Sequence, residues 1–359
     1  MTGSGPAAVI VLAAGEGTRM KSSTPKTLHQ VCGRTMLGHS LQAAAELAPA
    51  RLIVVVGHRA DLVAAHARQQ VPDAIIVVQE HLGGTGHAVR MVLESIGSVA
   101  GTVVVTYADT PLLRGQTLAG LVDERARTGA AAAILTARVP DPAGYGRILR
   151  DAAGAFAGIV EHADATPGQR AIDEVNSGMY CFDGDLLADA VKRVRTDNAQ
   201  GEEYLTDAVS LLHADGHQVA TVTCQDFEEI QGVNDLSQLA HATSVLNARL
   251  LGTAMRSGVR VLDPASTWVD VGVSLAAEAR IGPGTQLEGA TSVGRGATVG
   301  PGCLLRDTEV GAGATVLQSV CESAVIGEGA QVGPFAHLTR GTRIGPGELV
   351  VPATRPAGQ

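Results

Sequence analysis

Val9-Ile10-Val11-Leu12-Ala13-Ala14-Gly15-Glu16-Gly17-Thr18-Arg19-Met20, with Pro25-Lys26 close behind, is the stretch on which the reading of this chain turns. An apolar run long enough for a buried strand passes into a glycine loop, and two cations, Arg19 and Lys26, follow. Backbone N–H groups in such a loop converge on an anion and the cations neutralise it, which is how a nucleotide's phosphates are gripped. Two better-known loops are excluded. A dinucleotide fingerprint needs a third glycine where Met20 stands, and a Walker A loop needs a Gly-Lys-Ser/Thr that Gly15 to Lys21 does not supply. By itself a Gly-x-Gly is equally an ordinary βα turn, so the rest of the chain must decide.

Outward from this loop, β-branched runs at 8–12, 51–56, 74–78 and 102–106 alternate with helical patterns near 35–48, 59–69, 85–97 and 115–128. Strands apolar on both faces and separated by helices predict a parallel α/β sheet. Ligands of such sheets bind beyond the carboxyl ends of the strands, the edge at which the glycine loop leaves the first strand.

The length of 359 residues suits two domains, and an apolar share of 45% with only 3% aromatics predicts a core of Ala, Val, Leu and Ile. A net charge of −9 excludes non-specific nucleic-acid binding, though not a phosphorylated substrate held by a few local cations. The cysteines Cys32, Cys181, Cys224, Cys303 and Cys321 are scattered without metal-type spacing and read as buried thiols of a reducing compartment. With no signal-peptide pattern and no apolar stretch of membrane-spanning length, the expected partners are small molecules rather than nucleic acid or membrane, and the expected location is the cytoplasm.

Further motifs lie at the expected ligand edge. Gln79-Glu80-His81-Leu82-Gly83-Gly84-Thr85-Gly86-His87-Ala88 places small residues before a helix, where backbone can approach a flat ring, and Gln79 offers a donor and an acceptor that match the edge of uracil. A capped helix start would look the same. Val103-Val104-Val105-Thr106-Tyr107-Ala108-Asp109-Thr110-Pro111 carries an aspartate to the end of an apolar strand, as a Mg²⁺ ligand or as a turn cap before Pro111. Gly144-Tyr145-Gly146-Arg147-Ile148, Ile159-Val160-Glu161 and Glu174-Val175-Asn176-Ser177-Gly178-Met179-Tyr180 set polar groups beside strands, suited to sugar hydroxyls or to hairpin turns. Asn198-Ala199-Gln200-Gly201-Glu202-Glu203-Tyr204-Leu205-Thr206-Asp207 and Gln231-Gly232-Val233-Asn234-Asp235 follow.

Residues 236–256 form a helical arm of about 30 Å. Beyond it a six-residue period appears at Ile281, Leu287, Val293, Val299 and Leu305. It shifts by one residue before Val310 and Val316 and resumes at Ile326, Val332, Leu338, Ile344 and Val350. An aliphatic residue at each sixth place predicts a parallel β-helix, three hexapeptides to a coil. A disordered Gly-rich tail would not keep apolar residues in register.

The pattern L-A-A-G-x-G-T-R-M with P-K resembles the signature of the sugar-1-phosphate nucleotidyltransferases. Taken with the later motifs, the chain resembles the bacterial bifunctional N-acetylglucosamine-1-phosphate uridylyltransferase/glucosamine-1-phosphate acetyltransferases over nearly its whole length. The resemblance implies a Rossmann-like α/β nucleotidyltransferase domain at 1–235, a helical connector at 236–260, a shortened left-handed β-helix at 261–352 and a tail at 353–359. It implies in-line transfer from UTP to N-acetylglucosamine 1-phosphate, giving UDP-N-acetylglucosamine, a cell-envelope precursor, and pyrophosphate. Arg19 and the loop amides would hold the leaving phosphates, and Leu12, Ala13 and Gly15 would bind the nucleotide. Lys26 would neutralise the α-phosphate. Gln79, Gly84 and Thr85 would select uracil, and Gly146, Glu161 and Asn176 would grip the amino sugar. Asp109 and Asn234 would hold Mg²⁺.

The sequence departs from the family's pattern at Gly83 (Leu in the family), at Ala108 (Gly) and at Asp235-Leu236 (Asn-Arg). The Ala108 methyl is expected to crowd the substrate. The family's F-x-x-L-R-P-G stretch is here Phe335-Ala336-His337-Leu338-Thr339-Arg340-Gly341, and its later Lys, His, Tyr and Asn have no counterpart, so acetyl transfer is expected to be absent. Prisms of this kind imply a homotrimer. Two alternatives stand beside the main reading: transfer to another sugar 1-phosphate, and a non-catalytic regulatory paralogue that binds sugar nucleotide.

Overall fold

The structure, a computed structural model, describes residues 5–97 and 99–351; the expected tail at 353–359, and residue 352 before it, lie outside them. The chain divides into two compact units. One contains the residues up to His29 together with Thr35–Leu239; the other contains Gln30–Arg34 and the residues from Ala240 onward.

In the first unit the alternating runs form β1 (Ala8–Ala13) and, after the two-residue strands β2 (Gln30–Val31), which belongs to the second unit, and β3 (Arg34–Thr35), at which the chain re-enters the first, α1 (Met36–Ala45), β4 (Leu52–Val56), α2 (Ala60–Gln70), β5 (Ile75–Val78), α3 (Thr85–Ile96), β6 (Thr102–Tyr107) and α4 (Gly115–Thr128). Then come β7 (Ala132–Arg138), β8 (Gly146–Arg150), β9 (Phe156–Val160), the single-turn α5 (Pro167–Arg170), β10 (Glu174–Asp183), α6 (Gly184–Val191), α7 (Leu205–Ala214) and β11 (Val219–Cys224). β1 lies mid-sheet, between β6 and β4, in the order β11-β7-β10-β6-β1-β4-β5. Every residue of β1 is buried. Ile10 and Leu12 pack with Val89 and Val92 of α3 on one face. Val9 and Val11 pack with Leu37 of α1 and Leu118 of α4 on the other. Apolar residues on both faces of the strand are what sandwich it between two helix layers.

The sheet is mixed rather than wholly parallel. β1, β4, β5 and β6 run parallel, whereas β10 is antiparallel to both β6 and β7. Between β7 and β10 the chain makes the antiparallel pair β8–β9 and only the four-residue α5. A parallel return needs a crossover of a dozen or more residues, usually a helix, and no such helix is present there.

The second unit is a left-handed parallel β-helix whose short strands stack into sheets of six, five and five. One column runs Ile281, Val299, Val316, Val332, Val350. A second runs Leu287, Leu305, Cys321, Leu338. The aliphatic periodicity passes over Cys321, which fills an inward place with a wholly buried thiol. The six-residue count slips at three five-residue steps, from Leu305 to Val310, from Val316 to Cys321 and from Cys321 to Ile326. The helix α8 spans Leu236–Arg256, the bounds read from the sequence.

Candidate active site

The glycine loop is shaped by one close approach. Gly17 sits in the left-handed region at φ 65° and opens a turn over Thr18–Met20. A Cβ at Gly17 would stand 2.4 Å from Cβ of Lys26, so only glycine admits the lysine there. Met20 anchors the turn in the core and Arg19 faces outward. A Cβ at Gly15 would meet no protein atom within 4 Å; the room there belongs to the cavity that Gly15 lines.

Lys26 Nζ donates to Asp109 Oδ2 at 2.6 Å and to Asn234 Oδ1 at 2.7 Å. Asp109 comes from the turn after β6, next to β1, which brings the two loops to one sheet edge. Asn234 is held by its neighbours: its N–H reaches Gln238 Oε1 at 2.7 Å, and its Nδ2 donates to Gly232 O at 3.3 Å. Asp235 Oδ1 in turn accepts from the Gln238 N–H at 2.8 Å, capping α8. Gln238 thus links the Asn234 backbone to the Asp235 cap, although Asp235-Leu236 depart from the family's Asn-Arg.

Three cavities of about 300, 360 and 320 Å³ meet at Tyr107, which lines all of them. The first is bordered by Leu12, Ala13, Gly15, Lys26, Gln79, Gly84, Thr85 and Asp109. The second is bordered by Arg19, Asp109 and Asn234. The third is bordered by Thr85, Gly146, Glu161 and Asn176. Each site residue singled out in the sequence therefore faces one of these linked spaces.

In the first cavity Gln79 is buried, and its Nε2 donates to Gly84 O at 3.1 Å and to His87 Nδ1 at 2.9 Å. An amide nitrogen only donates, so the imidazole accepts at Nδ1. Both amide protons are committed, and Oε1 is left to accept from a ligand. The donor that the sequence reading assigned to Gln79 must come from elsewhere. Gly83 lies against His87: a Cβ there would be 2.9 Å from the ring. The Ala108 methyl is wholly buried in the core with Val9, Val11 and Leu37 and borders none of the three cavities. The expected crowding of substrate at Ala108 is thereby corrected: the extra carbon points into the protein.

In the third cavity Asn176 Nδ2 donates to the Tyr180 hydroxyl at 2.7 Å, and its Oδ1 accepts from Gly178 N–H at 3.1 Å, bracing an irregularity in β10. Glu161 Oε1 accepts from the Thr206 hydroxyl at 3.0 Å. Burial raises the Glu161 pKa, the Thr206 bond opposing it and Asp207 and Asp164 adding to it. Arg147 turns from the cavity into the protein and binds the Tyr145 and Arg170 carbonyls.

Sequence reasoning gave no individual role to Tyr107, Tyr145 or Glu202, which lie within its motifs and line these cavities. Burial, with Asp109 and Glu161 near, raises the Tyr107 phenol, which bonds the Thr85 side chain. A Cβ at Gly178 would strike its ring at 2.6 Å. Its only signal in the sequence is its place two residues before Asp109.

Asp109 and Asn234 fit a hard divalent cation. Their oxygens already converge on one positive charge, the Lys26 ammonium. Mg²⁺ takes one or two protein carboxylates and completes its shell with phosphates and water. No group of three His, Cys, Asp or Glu side chains that could hold a metal occurs among the described residues, so substrate oxygens would complete such a shell.

Residues 9–174 match the family model of the MobA-like NTP transferase domain. Over 330 residues the chain is 58% identical to the bifunctional protein GlmU of Thermobifida fusca, an alignment covering 91% of this chain and 68% of that protein. The chain belongs to the GlmU family. It is 56% identical over 321 residues to the GlmU of Streptomyces avermitilis, covering 89% of this chain and 67% of that one. It is 45% identical over 316 residues to that of Corynebacterium glutamicum, covering 87% and 65%. The chain thus spans about two thirds of the length of these relatives. The enzyme is a sugar-1-phosphate uridylyltransferase of the kind that produces UDP-N-acetylglucosamine, acting on small molecules, and none of its described helices is long and apolar enough to cross a membrane.

Proposed function

We propose that the enzyme joins UTP and N-acetylglucosamine 1-phosphate into UDP-N-acetylglucosamine and pyrophosphate, with Mg²⁺. The observation that carries this reading is the convergence of Lys26, Asp109 and Asn234 where the first and second cavities meet, with the third joined to them at Tyr107. Uridine occupies the first cavity, its ring N–H facing Gln79 Oε1. The amino sugar occupies the third, against Gly146, Glu161 and Asn176, and the phosphates lie between them. A sugar-phosphate oxygen attacks the α-phosphorus in line and pyrophosphate leaves, so positioning and charge neutralisation carry the catalysis. Lys26 meets the charge growing on the α-phosphoryl group, and Arg19 with the loop amides holds the leaving phosphates. Asp109 and Asn234 hold Mg²⁺, which supplies charge neutralisation when bound.

The buried position of Ala108 removes one motive for a different sugar, and the support of Asn234 removes one motive for a non-catalytic paralogue. Acetyl transfer is not part of the proposal, because Thr339 stands where the family motif has arginine. The proposal includes a homotrimer, and the five free, buried thiols suit a reducing compartment such as the cytoplasm.

The test is pyrophosphate release with UTP, Mg²⁺ and a panel of sugar 1-phosphates. N-acetylglucosamine 1-phosphate should give the highest kcat/KM, and Asp109→Ala should lower kcat by about two to three orders of magnitude with the melting curve preserved. Full activity in that variant would refute the metal assignment.

A further inference from the structure

Segment 202–205 is the partition between the first and third cavities, and Glu202 lines both. Three bonds draw it across residues 83–86, where the chain enters α3. Glu203 N–H donates to Gly83 O at 2.7 Å, Gly86 N–H donates to Glu203 O at 2.7 Å, and Leu205 N–H donates to Thr85 Oγ1 at 3.1 Å. The fit is close, since a Cβ at Gly84 would stand 2.5 Å from Glu203 O.

The Glu203 side chain borders neither cavity. It meets Arg90, one helical turn beyond Gly86 on α3, in a two-pronged ion pair: Nε to Oε2 at 3.0 Å and Nη2 to Oε1 at 2.7 Å. The remaining prong, Nη1, reaches Glu94 Oε1 at 2.8 Å. The Arg90 and Glu203 side chains are 28% and 18% exposed, against 61% for Glu94, so the first pair is the one partly withdrawn from solvent screening. Arg90 lies outside the sequence motifs that carry the family resemblance.

We propose that the Arg90–Glu203 pair is a positioning clamp that fixes the partition between the uracil and sugar cavities, and so sets the affinity for both substrates. The proposal rests on the assignment of those cavities made above. A guanidinium fork fixes the orientation of a carboxylate as well as its distance, and through the Glu203 backbone that orientation passes to Gly83, Gly86 and Glu202. Neither residue touches substrate. Their effect is on binding, not on the chemical step.

Steady-state kinetics test this with each substrate varied in turn. Arg90→Met and Glu203→Gln should each raise both KM values about tenfold while kcat stays within about threefold. The exchanged pair Arg90→Glu with Glu203→Arg should recover part of the loss. Glu94→Gln should leave both KM values unchanged. Unaltered KM in both single variants, or a fall in kcat alone, overturns the clamp. Calorimetric titration with UDP-N-acetylglucosamine gives a readout free of turnover, and melting curves show that each variant is folded. A wild type that does not bind this product defeats the reading of the reaction. A wild type that binds it no better than the single variants defeats the clamp alone.

Discussion

Ala108 and Glu161 show how far a residue's identity in sequence can differ from its task in the fold. At Ala108 the family pattern suggested a methyl pressed against substrate, yet the side chain is part of the core. Ala108→Gly should therefore lower stability by about 1 kcal/mol, through a lost methyl and a freer unfolded chain, and leave both KM values unchanged. Denaturant unfolding and steady-state kinetics on one preparation decide it. A marked drop in either KM would restore the crowding reading. Glu161 carries the opposite tension. Burial holds its folded pKa above the ordinary 4.5, so the folded state binds the proton more tightly than the unfolded chain. The stability that goes with this is complete below the unfolded pKa and is lost as pH rises through the folded one. Glu161→Gln keeps an oxygen for the Thr206 hydroxyl and cannot ionise. Its melting temperature should exceed the wild type's at pH 8 and match it near pH 4, while its affinity for the sugar phosphate falls. An equal offset at both pH values would show that ionisation is not the cause. No stretch of sequence reveals this cost, because it arises from α7 and the loop after β9 closing over one carboxylate.

At the scale of elements, legibility followed periodicity. The helices α1 to α4 and the strands between them lie within a few residues of their sequence patterns, since apolar spacing places them all and glycines mark ends of α3 and α4. The positions of the glycine loop after β1 and of Asp109 were legible for the same reason: each directly follows a strand with a buried interior. The direction of β10 was not legible, because nothing local to a strand encodes which way its neighbours run. The partition made by 202–205 was hidden too, since its contacts link residues more than a hundred positions apart. In the β-helix the inward columns read clearly except at Cys321, whose thiol was not counted as apolar although it behaves as a small hydrophobe. Cys321→Ser puts a hydroxyl in that column and should cost about 1–3 kcal/mol. Cys321→Val, an apolar replacement, should cost less than about 1.5 kcal/mol. Urea midpoints compare the two, and a serine variant as stable as the valine one would mean that the column tolerates polarity at that coil.

Across the whole molecule, the proposed homotrimer is assigned to one outward face of the β-helix. The three outward faces of the β-helix differ in kind. One presents Arg260, Arg280, Thr298, Thr315 and Gln331 and ends on the exposed Leu349, and another presents Ser274, Ser292, Glu309, Val325 and Arg343. The remaining face presents Trp268, Gln286, Leu304, Val320 and His337 in one row. A second row on it joins Glu288, Arg306 and Glu322, with Arg306 bonded to Glu288 at 2.7 Å and to Glu322 at 3.7 Å. Trp268 and Val320 are 39% and 36% exposed, and an apolar row beside a row of paired charges is the pattern of an interface with a polar rim. Trp268→Lys combined with Val320→Lys places like charges along that row. Light scattering should find three copies in the wild type and a smaller species in the double variant. Pyrophosphate release should persist, because the cavity residues all belong to the other unit. A trimer that survives both lysines would move the contact to another face. A wild type with the mass of a single chain would end the assembly proposal while leaving the reaction untouched.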